Sequence, residues 1–437
     1  MPSAESLAVT PGPGTRPLRV AVLGAGTVGR EVVRALATPG DGPLTLAAVA
    51  VRDLDRARAA GIDERLLTDA PAHLVAAADT DVVVELMGGD EPARTLMLAA
   101  LRAGKDVVTA NKHVLAMHGP EIERAVRDGG GALRFEAAVG GGIPVLRSMA
   151  AGLAGDRILR VRGIVNGTTN HILSALAAGA GTYEAVLRDA QQRGYAEADP
   201  SGDVEGRDAI NKLVILCRLA FGRWLDPMGI PDRPPSLRGL GGPGITGVTS
   251  DQIAAAGALG LSLKLLAAAD RSGDRLLASV IPTAVRRDSG LGSTGGVRNR
   301  IEVTGEPVGT VGFDGPGAGG AATSSAVLAD LHALVRGEGS TWSGAPLPAD
   351  LDHDGVPMPA EDRRRSDHNA RRWFLLLPGV RRARGLGDIV DDSVLVPGGL
   401  ALRTTWLGLE TLRSRILAGT QPTLDAPCYP IDTDPDA

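Results

Sequence analysis

Aromatic residues are scarce in this chain of 437 residues, which holds 4 Trp, 3 Tyr and 4 Phe. So few rings exclude stacking platforms for single-stranded nucleic acid and argue against an aromatic sugar-binding cleft. Cysteine is rarer. Cys217 and Cys428 cannot make a disulfide framework, and no Cys/His cluster has zinc-site spacing, which fits a reducing, cytoplasmic setting. No run of 18 apolar residues occurs, and Met1 to Pro17 lacks the basic and apolar segments of an export signal, so neither a membrane span nor secretion is expected. Charge of one sign is not concentrated either. The formal net charge is −5 and no five basic residues stand together, so nucleic acid and anionic membranes are not expected partners, and a small molecule is. Lysine is the last absence: among 46 basic residues only Lys105, Lys112, Lys212 and Lys264 are lysines.

What is present is an alternation of short apolar strands and amphipathic helices. Leu18 to Leu23 reads as a buried strand, GAGTVG (Gly24 to Gly29) as a glycine turn, and the residues through Val32, Val33 and Leu36 as a helix. Strands at Leu44 to Val51, Val82 to Leu86 and Val107 to Thr109, with a helix from Pro92 to Ala103, continue the pattern. Such alternation predicts an α/β, doubly wound parallel sheet. From Leu133 the texture changes to that of an α+β domain. Its strands are predicted at Ile158 to Val165, Leu276 to Pro282 and Arg300 to Thr304, and its helices at Tyr183 to Arg193, Val204 to Phe221 and Asp251 to Ala268. The segment Gly315 to Leu331 reads as a second glycine turn entering a helix, and Gly337 to Asp367 is polar and Pro-rich. The expected division is a disordered tail over 1–17, a dinucleotide-binding domain over 18–145, a substrate-binding and catalytic domain over 146–314, a helix over 315–336, a linker over 337–368 and a small C-terminal region over 369–437. A chain ending near Arg336 is therefore expected to keep activity.

A lone G-x-G-x-x-G is weak evidence in a glycine-rich chain, but this one follows a strand, opens a helix and precedes a second strand that ends in charge. Gly24, Gly26 and Gly29, with Thr27 and Val28 at the helix start, let backbone N–H groups approach a pyrophosphate. At the end of the second strand, Arg52 suits a 2′-phosphate and Asp53 a ribose hydroxyl, so NADP and NAD both remain open, with the preference to NADP. Glu197, Asp199, Asp203, Glu205 and Asp208 then precede one lysine, Lys212. This cluster is a metal site, a solvated loop or a substrate site, and Asp203 is equally a helix N-cap. Asp208 and Lys212 stand four apart on a helix whose Lys212 face continues through Ile215, Leu216 and Leu219. A partly desolvated lysine there suits general acid/base chemistry. Lys112 follows Thr109, Ala110 and Asn111 at a strand end, the edge where such sheets bind ligands. Lys105, in a turn, and Lys264, read as lying on a helix among leucines, are taken as structural, so Lys264→Arg is expected to be nearly silent.

Six segments occur together and in order: VVELMGG (Val83 to Gly89), TANK (Thr109 to Lys112), EAAVGGGIP (Glu136 to Pro144), GIVNGTTN (Gly163 to Asn170), GYAEADPSGDVEGRDAINK (Gly194 to Lys212) and GPGAG (Gly315 to Gly319). Over about Leu18 to Arg336 the chain resembles homoserine dehydrogenases. The resemblance implies NAD(P)-dependent interconversion of L-aspartate 4-semialdehyde and L-homoserine, toward threonine, methionine and isoleucine. It implies that Lys212 is the proton donor, Lys112 a second active-site lysine beside the nicotinamide, and Asp208 both catalytic and substrate-binding. It further implies that Glu197, Asp203, Tyr195, Gly167 and Thr168 line the substrate pocket, and that Gly88 and Gly319 contact cofactor. Glu136, Val139, Gly141 and Ile143 resemble a monovalent cation site, for sodium or potassium. A homodimer or homotetramer is implied, with dimerisation through the second domain, as is a return of the chain to the nucleotide domain at Gly319.

The chain departs from the family pattern at His171, which replaces a tyrosine common after NGTTN. It departs again beyond Gly337, where LPGV (Leu377 to Val380) resembles a turn of the ligand-binding regulatory domain many bacterial members carry, but the βαββαβ spacing is poor. Weak threonine inhibition, or none, is expected. Two alternatives are weighed: a dehydrogenase of another small amino-bearing carbonyl compound, and a catalytically idle nucleotide-binding regulator. The intact acid cluster and Lys212 speak against the second.

Overall fold

The computed structural model describes residues 16–38, 42–348, 361–362, 371–382, 385–420 and 424–432. The expected tail, but for its last two residues, and most of the expected linker lie outside the described residues. The chain divides into two units, the first comprising Met1–Gly155, Arg218–Trp224 and Ala318–Pro357, the second the remainder.

In the first unit, β1 (Leu18–Leu23), β2 (Leu44–Ala50), β3 (Leu67–Thr68), β4 (Val82–Glu85), β5 (Asp106–Thr109) and β6 (Leu133–Arg134) pair in parallel in the order β3-β2-β1-β4-β5-β6. The helices are α1 (Thr27–Leu36), α2 (Leu54–Ala59), α3 (Pro71–Ala76), α4 (Ala93–Arg102), α5 (Lys112–Gly129) and the short α6 (Val145–Arg147). Val20, Val22, Val82, Val84 and Val108 are fully buried, as expected for strands covered on both faces. Between β1 and β4 the strand order reverses, and ligands bind beyond the carboxyl ends of strands at such a switch point.

The second unit runs through β7 (Arg157–Ile164), α7 (Gly167–Ala177), α8 (Tyr183–Gln192), α9 (Ser201–Val204), α10 (Arg207–Phe221, counted with the first unit from Arg218 on), α11 (Ser250–Ala258), β8 (Leu261–Ser272), β9 (Arg275–Arg286), α12 (Gly290–Ser293), β10 (Arg298–Glu306) and β11 (Gly309–Pro316). Helix α13 (Gly320–Val335) belongs to the first unit. After it come β12 (Glu361–Asp362), β13 (Arg372–Pro378), β14 (Val390–Val396), β15 (Gly399–Thr404), α14 (Leu409–Gly419) and β16 (Tyr429–Asp432). Ten strands form one mixed sheet, β11-β10-β7-β8-β9-β16-β13-β15-β14, with β12 also on β9.

Two expected helices are corrected. The one drawn across Asp251 to Ala268 stops at Ala258; Gly260, at φ +71°, turns the chain, and Leu261 opens a long strand. Leu263, Leu265, Leu266, Ala267, Ala268 and Ala269 are all buried, and burial of both faces erases the alternation that would have marked a strand. Lys264 thus lies on β8. The helix drawn from Val204 to Phe221 breaks at Gly206, φ +90°, into α9 and α10. Asp203 sits inside α9 rather than capping a helix. Strands β11, β15 and β16 were not read from the sequence.

The C-terminal extension is built into the second sheet. β16 lies parallel to β9, with Ile431 opposite Ala284 and Asp432 opposite Val285. The Asp432 carboxylate accepts from Arg162 Nη1 at 2.6 Å, both side chains nearly inaccessible. Tyr429 donates its hydroxyl to Gln252 at 2.7 Å. Trp373, Leu375, Leu377, Leu400, Leu402, Leu412 and Ile416 form the core of this region. Between β13 and β14 no helix occurs among the described residues. The start of the expected linker is also packed: Ser340 Oγ accepts from Leu133 N–H and Thr341 Oγ1 from Phe135 N–H, each at 3.0 Å.

Candidate active site

The residues singled out from the sequence fall into two sets, one in each unit. In the first, Gly24 and Gly29 are required by the fold itself. A Cβ on Gly24, at φ +101°, would stand 2.7 Å from Leu86 O, and one on Gly29 2.0 Å from Gly24 O. Gly26 differs, since nothing lies within 4 Å of its Cβ position and no side chain caps α1 there. Gly26 and Thr27 are exposed, and Thr27 and Val28 open α1 at an N-terminus without a side-chain cap, an arrangement that suits a pyrophosphate. Gly319, at φ +107°, caps α13, and Gly320 packs against Thr27 O, where a Cβ would stand 2.9 Å away. The two helix N-termini lie side by side, and the donor set fits a dinucleotide.

Glu85 ends β4 fully buried and organises the neighbouring loops. Its Oε1 accepts from Met87 N–H at 2.8 Å and Gly88 N–H at 3.2 Å, and its Oε2 from Thr109 Oγ1 at 2.7 Å. Thr109 Oγ1 in turn accepts from Asn111 N–H at 2.9 Å. Asn111 donates to Gly89 O and caps α5 by accepting from Val114 N–H. Lys112, half-buried, is the first residue of that helix. The sequence reading passed over Glu85, although a single carboxylate closing an all-valine strand was its signal. Arg52 is exposed after β2, while Asp53 caps α2 by accepting from Arg56 N–H at 2.9 Å. Both line an open cleft with Leu54, Asp55, Arg58 and Asp69.

Glu136 is buried, its two oxygens accepting from Leu146 N–H at 2.9 Å and Arg147 N–H at 2.8 Å. Asp330 bridges Arg134 Nε at 3.0 Å and Glu136 N–H at 2.8 Å. Desolvation pushes both carboxyls above their usual range. The turn from Val139 to Ile143 passes through Gly140 and Gly141 at φ +77° and +58°. Among the described residues no cluster of three or more His, Cys, Asp or Glu side chains suits a metal ion. With the carboxylate already engaged, this turn fits a cation only through main-chain carbonyls. Lys105 is structural, donating to Ala77 O and Thr80 O.

In the second unit Lys212 is buried on α10, and its ammonium donates to Val165 O at 2.6 Å and Asp208 Oδ2 at 2.7 Å. Asn166 joins the acids: its Nδ2 donates to Asp203 Oδ1 at 2.7 Å and Asp208 Oδ2 at 2.8 Å, while its Oδ1 accepts from Thr169 N–H at 2.8 Å and so caps α7. Gly167 and Thr168 open α7. A Cβ on Gly167 would stand 2.8 Å from Val297 O, and Thr168 Oγ1 donates to Tyr195 O at 2.6 Å. Tyr195, exposed, meets the His171 ring edge-on with centroids 5.0 Å apart, so the departure at His171 is a packing change against Tyr195. Glu197 lies exposed in the loop outside this network. Asp203, Asp208, Lys212 and the α7 turn are therefore one cluster held by Asn166. Within NGTTN the sequence signal for that role is an Asn three residues before a Thr at a helix start.

No helix among the described residues is long and apolar enough to cross a membrane. Residues 24–136 match the family model for the homoserine dehydrogenase NAD-binding domain, and residues 144–332 that for homoserine dehydrogenase. A homoserine dehydrogenase of Synechocystis sp. is 43% identical over 327 residues, 73% of each chain. The crystal structure of a homoserine dehydrogenase from Thiobacillus denitrificans is 32% identical with a TM-score of 0.82, covering 95% of this chain and 98% of that one. A hyperthermophilic archaeal homoserine dehydrogenase, solved with NADPH, is 25% identical with a TM-score of 0.60, covering 72% of this chain and 97% of its own. Fold, family models and relatives agree, and the chain belongs to the homoserine dehydrogenases, NAD(P)-dependent oxidoreductases of amino-acid biosynthesis.

Proposed function

We propose that Lys212 exchanges the proton of the substrate hydroxyl, that Asp208 holds and orients its ammonium, and that the substrate is L-homoserine oxidised to L-aspartate 4-semialdehyde, or the reverse. The observation that carries this is the joint at Asn166, which ties Asp203 and the α7 cap to Asp208, the carboxylate bonded to Lys212. An ammonium fixed by a carbonyl and a carboxylate is aimed rather than mobile, so it can meet a developing alkoxide without reorganising. Lys112, at the start of α5 beside the nucleotide edge, is the second active-site lysine of this reading. Asp208, Asp203 and Glu197 provide negative charge for the α-ammonium, and the N–H groups of Gly167 and Thr168, at the positive end of α7, take the carboxylate.

The bound nicotinamide supplies or accepts hydride. Gly24, Gly26, Thr27, Val28, Gly29, Gly88, Lys112 and Gly319 would hold the dinucleotide. NADP is the preferred form, because Asp53 is engaged as a cap and Arg52 is left to meet a 2′-phosphate. Sodium or potassium would sit on the carbonyls of Val139, Gly141 and Ile143, with Glu136 anchoring the turn. The test is Lys212→Arg in a homoserine-dependent NADP reduction assay. Arginine keeps the charge but cannot exchange a proton, so folding and NADP affinity are expected to persist while kcat falls on the order of a hundredfold. Activity within a few-fold of the unsubstituted enzyme would transfer the role to Lys112.

A further inference from the structure

Lys264 is the fourth lysine and the one that the reaction above does not use. It is 5% exposed on β8, and its ammonium donates to Asn170 Oδ1 at 3.0 Å and Thr294 O at 2.6 Å. Both acceptors are neutral, and no carboxylate among the described residues pairs with it. A buried cation without a counter-ion is costly, and desolvation lowers its pKa to about 8, which still leaves it charged at neutral pH.

Its position gives that charge a use. Asn170 is almost fully buried in the first turn of α7, its N–H donating to Asn166 O at 3.3 Å and its Nδ2 to Arg298 O at 3.1 Å. Lys264 therefore grips the same turn whose cap, Asn166, holds Asp203 and Asp208. A positive charge behind the positive end of a helix opposes the helix dipole, so the fold gains nothing by placing it there. An anion received at that end gains from both.

We propose that Lys264 is a positioning and specificity-determining residue: through Asn170 it fixes the first turn of α7, and its uncompensated charge favours a substrate bearing a carboxylate over the same amino alcohol without one. This rests on the reading that Gly167 and Thr168 receive the carboxylate. It also reverses the expectation of a silent Lys264→Arg, because a guanidinium would bring five donors to a compact site that offers two acceptors.

The experiment compares homoserine with 3-aminopropan-1-ol, which lacks only the carboxylate, as substrate and as competitive inhibitor of the full-length enzyme. In Lys264→Gln, which keeps a donor and loses the charge, and in Lys264→Met, homoserine KM is expected to rise about tenfold or more. Turnover and the KM for NADP should stay within about threefold, and the affinity for 3-aminopropan-1-ol should be unchanged. Asn170→Asp, which sets a compensating carboxylate against the ammonium at the loss of the donor to Arg298 O, should raise homoserine KM in the same way, and it decides the matter where the lysine variants do not fold. Equal weakening of both ligands, or a fall in turnover at constant KM, would overturn the proposal and leave Lys264 a packing residue. If instead Lys212→Arg keeps its turnover while the Lys264 variants discriminate as described, the proton-donor assignment fails and this one stands.

Discussion

The two sheets were built by different rules. In the first unit every parallel pair except β1 with β4 joins strands consecutive in the chain, and the ligand edge is written in short segments: GAGTVG after β1, MGG after β4, TANK at the end of β5. In the second unit the sheet is completed from far along the chain. β9 receives β16 from the C-terminal end, and the buried Arg162 finds Asp432 there and Glu302 on β10. A local unit announces its site in its sequence; a unit closed by distant segments hides its dependence on them.

The sharpest way to break that comparison is to remove residues 371–437. The sequence alone predicted that a chain ending near Arg336 stays active, whereas the structure predicts the reverse. Without β13 to β16 the edge of β9 is bared at Ala284 and Val285 and Arg162 loses a carboxylate, a change expected to exceed the 5 kcal/mol or so that keeps many domains folded. Soluble, fully active truncated protein would show that the extension is an appendage after all.

Next in size is Glu123→Ala in the first unit. Glu123 accepts from Arg218 at 2.5 and 2.8 Å and from Trp224 Nε1 at 2.8 Å, all of it buried. Leaving a buried guanidinium unpaired costs about 3–5 kcal/mol, to be read from denaturant unfolding. A loss under about 1 kcal/mol would mean that this cluster is not a structural lock.

A smaller effect is expected for Arg52→Ala. The ratio of kcat/KM for NADP over NAD should fall about tenfold, the value of one charge-assisted contact, while kcat with NAD is retained. An unchanged ratio would remove Arg52 from the phosphate site. In the second unit, Thr249 and Gln252 form a reciprocal capping box on α11. Thr249→Ala should therefore lower stability by about 1 kcal/mol, measured by the same unfolding titration, with no change in either KM. The smallest effect is that of threonine. With no helix described between β13 and β14, millimolar threonine should leave homoserine oxidation nearly unchanged, and strong cooperative inhibition would contradict this.

Several features of the site were legible because their chemistry is local. Lys212 and Asp208 stand one helical turn apart, and Asn111, Lys112 and the glycines belong to unbroken motifs. Glu85, Asn166 and Asn170 lay inside quoted segments yet carried no visible role, since each acts by joining backbone groups that only the fold brings near. Lys264 was misplaced for a different reason. A strand buried on both faces reads as a uniform apolar run, and its lysine seemed to lie on a helix.

By itself the sequence determined the parallel nucleotide-binding sheet, the mixed second domain and the family's motifs, because periodicity, glycine turns and contiguous motifs are properties of neighbours in the chain. The tertiary structure alone decided that the C-terminal strands complete the second sheet, that Asn166 gathers Asp203 and Asp208 beside Lys212, and that a lysine with no carboxylate partner among the described residues bonds the first turn of α7. Those outcomes depend on which distant backbone and side-chain groups exclude water together, and burial of that kind leaves no fixed spacing in a sequence.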